Sequence, residues 1–396
     1  MSDLITVSEA LAAVLGRARA LPIEETELES AAGRVLAGAV RSPIDLPPFP
    51  SSSMDGYAVR AADTPGRLRV VGTVAAGRPE TRSVAPGEAL DISTGGVVPA
   101  GADAVVPVER VGVSDGEIVA EVVAGGDNIR RPGGDVTAGA VVLAAGALLT
   151  PARLAALAAC GVERVPTCRA AHVAVLATGS ELRRPGEPLA VGQIYESNGI
   201  MIGAVLAENG AQVERLAAAE DTEEALERAL SRALEADIVV TSGGVSVGPH
   251  DLVRRVAARL GVEEVFWGVA MRPGKPLAFG VRGRTLVFGL PGNPVSSLVG
   301  CLLFVRPALL ALHGHPHPAP PFRPGILARD VRPRPERDDY VRARLSWAAD
   351  GPLLDPITGQ ESHMIVRTTA ADAIVHVPRG TDVVAAGSRV AFLALS

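Results

Sequence analysis

Lysine is almost missing from this chain. Of its 38 basic residues only one, Lys275, is not arginine. It lies in Arg272-Pro-Gly-Lys-Pro276, a rigid turn in which a compact ammonium differs physically from a guanidinium fork. The arginines are spread rather than blocked and the formal net charge is −6, so there is no field for a polyanion and nucleic-acid binding is not expected. Aromatic residues make up 3% against a hydrophobic total of 47%, which leaves a core of Ala, Val and Leu. Cysteine is sparse too. Cys160, Cys168 and Cys301 show neither metal-ligand nor redox spacing, and a reducing, cytoplasmic setting is the expectation. No apolar run of about 18 residues escapes a charge or a proline, Arg306 and Pro307 interrupting the best of them. The first 21 residues carry Asp3 and Glu9 inside a helical pattern, unlike a signal peptide, so no membrane partner is expected. Walker and dinucleotide fingerprints are absent, as is any Ser/His/Asp or Cys/His arrangement.

What remains is a chain of 396 residues, too long for one core. Residues 8–20 carry an amphipathic pattern, with Ala12, Leu15, Ala18 and Ala20 on one side, and residues 31–39 look like a second helix. Pro43, Pro47, Pro48 and Pro50 then mark an extended crossing. Short runs at 57–59, 68–74, 89–92, 104–108 and 117–122, separated by turns, predict a small β domain. Residues 151–160 return to helix. The helical segments flanking the β unit are therefore expected to pack together, with the β unit as an insertion.

From residue 172 strands and helices alternate. Strands are predicted at 173–177 and 212–216, from 238, near 264–267 and at 285–290; helices at 198–209, 222–234, 251–260 and 294–312. That is an α/β pattern, a doubly wound and mainly parallel sheet. His313-Gly-His315-Pro-His317, backed by Pro318, Pro320 and Pro321, reads as a solvated linker rather than a metal site. The rest alternates short runs with turns, a C-terminal β-barrel-like domain with no evident chemistry of its own. The expected division is 1–44 with 140–168 as a helical and extended domain, 45–139 as the inserted β domain, 169–320 as the α/β domain and 321–396 as the C-terminal domain.

The centre of the α/β pattern is residues 238–251, a β-branched run broken at Gly243-Gly244, where positive φ costs little, and followed by a helix. Such a loop turns backbone N–H groups and the hydroxyls of Ser242 and Ser246 towards whatever lies beyond the strand, next to the positive end of a helix dipole. In open α/β sheets ligands sit beyond the carboxyl ends of the strands. Three loops fall there: 178–181, 242–251 and 291–294, the last being Pro291-Gly292-Asn293-Pro294. Their convergence predicts an anion or nucleotide site. Glu181, Asp221 and Asp251 supply hard oxygen ligands of the kind magnesium takes while bridging to phosphate, although Asp221 and Asp251 also suit helix starts. Arg272 and Lys275 supply cations able to offset developing charge.

Six motifs in order then resemble a known family. They are Ser53-Met-Asp-Gly-Tyr-Ala-Val-Arg60, Ser93-Thr-Gly-Gly96 with Pro99-Ala-Gly-Ala-Asp103, Thr178-Gly-Ser-Glu181, Ser242-Gly-Gly-Val-Ser-Val-Gly248, Pro273-Gly-Lys-Pro276 and Leu290-Pro-Gly-Asn-Pro-Val-Ser296. Together they resemble the molybdopterin molybdenumtransferases, to which the C-terminal domain of gephyrin is similar. The resemblance implies a homodimer with its active site between subunits, and an enzyme that takes adenylylated molybdopterin and molybdate, cleaves the pyrophosphate link with magnesium and releases AMP. It places Asp55 and Thr94 from one subunit against Glu181, Asp221, Asp251 and Lys275 from the other. Asp55, Thr94, Glu181, Asp251 and Lys275 become the catalytic set; Ser242, Gly243, Gly244, Ser246, Arg272, Pro291, Gly292 and Asn293 bind substrate; Glu181, Asp221 and Asp251 hold the metal. Asp135, in Ile129-Arg-Arg-Pro-Gly-Gly-Asp135, also falls at a family position.

Arg272 is a departure, since family members often carry lysine there. Two alternatives compete with this reading: a molybdopterin adenylyltransferase, which shares a similar Ser-Gly-Gly loop and is itself a candidate transient partner, and a gephyrin-like scaffold. The extra domains and the Met-Asp-Gly-Tyr-Ala-Val-Arg motif stand against the first. The lack of a long linker stands against the second.

Overall fold

The computed structural model describes residues 4–217, 222–244 and 252–395. The chain divides into two compact units, one of Met1–Glu24, Gly33–Ala37 and Pro166–Ser396, the other of Glu25–Ala32 and Gly38–Val165.

The larger unit is built on a six-stranded sheet in the order Gln212–Arg215, His172–Ala177, Ile238–Ser242, Thr285–Leu290, Ala278–Arg282, Glu263–Trp267. The first three junctions are parallel and the last two antiparallel. All five residues of Ile238–Ser242 are buried, as expected of a central strand covered on both faces. Ala278–Arg282 is not anticipated by the sequence pattern. It folds back onto Thr285–Leu290 through Gly283, whose φ of +59° suits a two-residue hairpin.

Helix Glu223–Ala233 starts at Thr222, whose Oγ1 accepts from Ala225 N–H at 3.3 Å, and buries Leu226, Leu230 and Ala233 as a stripe. Pro294–Leu312 is long and apolar enough to cross a membrane, but 83% of its most apolar 18-residue window is buried inside the fold, which makes it a core helix. A π turn, Cys301–Val305, stands directly before Arg306-Pro307, where the missing proline N–H breaks the α-helical ladder. Cys160, Cys168 and Cys301 are all buried thiols.

The first helix is Val7–Arg17, closed by a capping box between Thr6 and Glu9. The face it buries, Ala10 and Val14, goes into the α/β core. Residues 31–39 are not helical. Gly33 turns at φ +75°, Leu36 bridges Thr167, and Ala37 N–H donates to the Pro166 carbonyl at 2.9 Å; a left-handed glycine and a local extended pairing defeat a weak helical pattern. The same unit ends in a barrel. Arg323–Leu327, Asp338–Ala348, Gly351–Pro356, Ala373–Val377 and Arg389–Ala394 pair in a ring that the Asp338–Ala348 and Ala373–Val377 pairing closes.

The smaller unit holds a six-stranded sheet ordered Ala104–Pro107, Gly56–Val59, Glu88–Ile92, Gly66–Val74, Glu117–Ala120, Val111–Ser114, and the helix Pro151–Ala159.

His313 corrects the solvated-linker reading at its first residue. Its Nε2 accepts the Ala171 N–H at 3.0 Å. Burial, and then the charge of Arg34, push its pKa down to about 4 from an ordinary 6.5. A histidine held neutral when folded takes up a proton more readily when unfolded, so its stabilisation is present above pH 6.5 and is lost as pH falls towards 4. We expect up to about 3 kcal/mol of stability to disappear across that window. Urea unfolding of His313→Gln should show a flatter profile there; profiles of equal slope would contradict the assignment.

Candidate active site

Register sets the geometry. Ala177 pairs with Ser242 and Ser242 with Leu290, so three parallel strands end level and their three turns leave the sheet side by side. Thr178 N–H donates to the Ser242 carbonyl at 2.9 Å and Gly243 N–H to the Leu290 carbonyl at 3.1 Å, which ties each turn to the next. Gly243 and Gly244 sit at φ +93° and +67°, as the sequence reading requires.

A cavity of about 900 Å³ opens over these turns. Asn198, at the start of helix Asn198–Glu208, holds its floor together. Its Nδ2 donates to Ser242 Oγ at 2.8 Å and to the Gly292 carbonyl at 2.7 Å. Ser297 Oγ donates to the Pro291 carbonyl beneath. Two buried oxygens on the cavity wall, Thr178 Oγ1 and Asn198 Oδ1, have no hydrogen-bond partner among the described residues. Buried polar atoms are nearly always satisfied, so two unpaired oxygens on residues that line one cavity favour a ligand that completes them.

Glu181, Ser242, Gly243, Gly244, Pro291, Gly292 and Asn293 all line this cavity. Asp221, Ser246 and Asp251 lie outside the described residues. Lys275 is not on the cavity wall, although its neighbour Pro276 is; its carbonyl accepts from Val269 and Leu277 N–H groups, both at 2.9 Å. Arg272 lines a separate cavity of about 220 Å³, with Pro273 and Asp339. Its Nη1 lies 3.4 Å from Asp339 Oδ2. Burial pushes the Asp339 carboxyl up from its usual range, and the Arg272 charge opposes that shift.

In the smaller unit Asp55 Oδ1 accepts the Thr94 N–H at 2.7 Å, so that expected pair is in direct contact on an exposed surface. Asp135 is exposed, its N–H bonded to the Leu46 carbonyl at 2.9 Å.

Several lining residues escape the sequence reading. Asn198 reads there as a helix cap, yet its side chain crosses to two other turns. Tyr195 and Glu196 lie in the connection after Glu181, where no periodic signal marks them. His363 comes from the barrel, expected to carry no chemistry. The loop that bears it is fixed by Arg342, a fully buried guanidinium that donates to the carbonyls of Met364 at 2.8 Å and Gly359 at 2.6 Å and to Thr368 Oγ1 at 2.8 Å. Ser362 Oγ accepts from Asn293 Nδ2 at 2.9 Å, which pins the loop to the third turn.

No group of three metal-ligating side chains occurs among the described residues. The carboxylates on the cavity wall are those of Glu181 and Glu196, hard oxygens that suit a magnesium ion that takes further ligands from phosphate and water.

Comparison with known proteins accounts for this arrangement. Residues 5–161 match the family described as MoeA N-terminal region (domain I and II). Residues 174–311 match a probable molybdopterin binding domain, and residues 324–395 the MoeA C-terminal region (domain IV). Molybdopterin molybdenumtransferase 2 of Mycobacterium tuberculosis is 39% identical over 379 residues, covering 92% of this chain and 93% of that one. The molybdopterin molybdenumtransferase of Haemophilus influenzae is 37% identical over 374 residues, covering 93% and 92%. A crystal structure of a molybdopterin biosynthesis MoeA protein from Pyrococcus horikosii superposes with a TM-score of 0.83 at 33% identity, covering 100% of both chains. With level strand ends, a three-turn cavity and matches across both units, the chain belongs to the molybdopterin molybdenumtransferase family.

Proposed function

We propose that this protein transfers molybdenum from molybdate to adenylylated molybdopterin, with magnesium-dependent cleavage of the pyrophosphate link and release of AMP. Membership of the family makes it a molybdopterin molybdenumtransferase, an enzyme of molybdenum cofactor biosynthesis. The observation that carries the finer reading is the pair of open oxygens, Thr178 Oγ1 and Asn198 Oδ1, above three level strand ends.

The division of labour follows from donor type. The Thr178 hydroxyl can donate to a phosphate oxygen, and Asn198 Oδ1 can only accept. Helix Asn198–Glu208 starts at the cavity wall, where the Glu196 carboxylate already accepts the Gly199 N–H at 2.7 Å. Glu181, with Asp221 and Asp251 as the sequence suggests, would hold magnesium, which when bound neutralises pyrophosphate charge and eases departure of AMP. Lys275 and Arg272 are proposed to steer molybdate, and Asp55 with Thr94 to reach the site from the second subunit of a homodimer. A cytoplasmic setting, with transient contact to the adenylyltransferase that supplies the substrate, completes the reading.

Incubation with ATP and molybdopterin separates this activity from adenylylation: no ATP should be consumed, whereas adenylylated molybdopterin with magnesium and molybdate should yield AMP. A purified sample that binds a protein partner but yields no AMP would favour the scaffold instead. For Arg272, charge is what the proposed role needs, and Lys supplies it. Arg272→Lys should leave molybdate affinity within tenfold; a rise beyond that, about 1.4 kcal/mol, would show that the guanidinium is a handicap.

A further inference from the structure

We infer that Tyr195 is the platform on which a flat heteroaromatic ring of the substrate stacks. The inference rests on the reading above, since it takes the ligand to be a phosphate-bearing molecule with such a ring. The chain holds only two Trp, three Tyr and seven Phe, and the cavity wall among the described residues carries one aromatic ring of these types, that of Tyr195. That ring is 45% exposed, in a protein whose Phe279, Phe288 and Phe304 are buried.

Its polar end is already satisfied. The hydroxyl donates to the Glu187 carbonyl at 2.9 Å, so what the ring offers is a face held in place. Ile194 and Tyr195 pair in parallel with Leu182 and Arg183, and Ile194 N–H donates to the Glu181 carbonyl at 3.0 Å. The ring is thereby fixed relative to the carboxylate-bearing turn. Leu182 and Ile194, the latter 55% exposed, add apolar side chains to the cavity lining.

The cavity thus has two characters. Thr178, Ser242, Gly243 and Gly244 line it as the proposed phosphate nest, and Tyr195 supplies a single aromatic face. A phosphate joined to a flat ring matches both at once, and ring-on-ring contact is sequence-tolerant and strong for any heterocycle with a π face. Adenine and pterin share that chemistry.

Calorimetric titration of the full chain with AMP, molybdopterin and ribose 5-phosphate tests the assignment. Tyr195→Leu should weaken one of the two ring-bearing ligands about tenfold, and the one affected identifies the ring. Ribose 5-phosphate, which lacks the ring, should bind wild type and variant alike and so reports an intact nest. Tyr195→Phe should retain wild-type affinity for the affected ligand, because the face remains. Unchanged affinity of Tyr195→Leu for both ring ligands overturns the inference and leaves the proposed function standing. An equal loss for ribose 5-phosphate also overturns it, since the residue would then be shaping the site rather than stacking. Wild-type protein that binds neither AMP nor molybdopterin overturns both.

Discussion

Asn198→Asp is expected to lower the rate of AMP release by about three orders of magnitude or more, and Asn198→Ala by about two. The alanine change removes both bonds from Nδ2, to Ser242 Oγ and to the Gly292 carbonyl. Each is worth about 1 kcal/mol of stability, so the fold should survive with about 2 kcal/mol less. Both bonds hold neighbouring turns in place, and a displacement of about 1 Å there can cost about 10²-fold in rate. The aspartate has the same shape and the opposite character. It sets a carboxylate oxygen against the Gly292 carbonyl, where nothing can donate, and puts a negative charge on the floor of a site built for anions. The position is half-buried, so the new charge costs less than a fully buried one would, and repulsion of phosphate adds to the loss in rate. Urea unfolding and AMP release on both variants check the order. Aspartate performing as well as alanine would mean that Asn198 serves as a spacer.

Gly243→Ala should come next in effect, with a rate about 10²-fold lower. At φ +93° an L side chain is strained, at a cost of about 1–3 kcal/mol. A Cβ there would stand 2.5 Å from the Thr178 carbonyl oxygen and 3.0 Å from Thr178 Oγ1. Both atoms belong to the neighbouring turn, so relief of the clash displaces the hydroxyl proposed to meet phosphate. A displacement of about 1 Å can cost 10²-fold in rate. Gly292→Ala is the control. Its Cβ would meet only Gly243 Cα, at 3.7 Å, and no positive φ is required. That variant should fold with wild-type stability, so any rate it loses reports how closely the ligand approaches the third turn. Thermal unfolding and AMP release on the pair separate strain from ligand clash; equal stabilities for the two would contradict the backbone argument.

The three turns were legible in the sequence because each carries its own local signal: a β-branched run, then glycine or proline, then a helix start. Their convergence beyond the carboxyl ends of the strands followed from the doubly wound pattern, whereas the level register is set by strand pairing. Asn198 was legible only as a helix cap, since its partners lie 44 and 94 residues away and nothing local marks a side chain that leaves its helix. His363 was hidden for the same reason. It depends on Arg342 gathering a loop within the barrel and on Ser362 meeting Asn293, which is 69 residues distant. Arg272 is a different case: three residues from Lys275, it reads in the sequence as part of one cation pair, and its side chain lies 3.4 Å from the buried Asp339 on the wall of a separate cavity. Strand Ala278–Arg282 was missed because it follows a proline-rich turn and returns through two residues only. Sequence spacing tells which groups are near along the chain, while the fold decides which way each one faces.

Full-length protein supplied with adenylylated molybdopterin and magnesium, with and without molybdate, gives the most direct test of the proposed transfer. AMP should appear only when molybdate is present, and at a rate that Gly243→Ala and Asn198→Asp both depress. AMP release at the same rate without molybdate, or none under either condition, would contradict it.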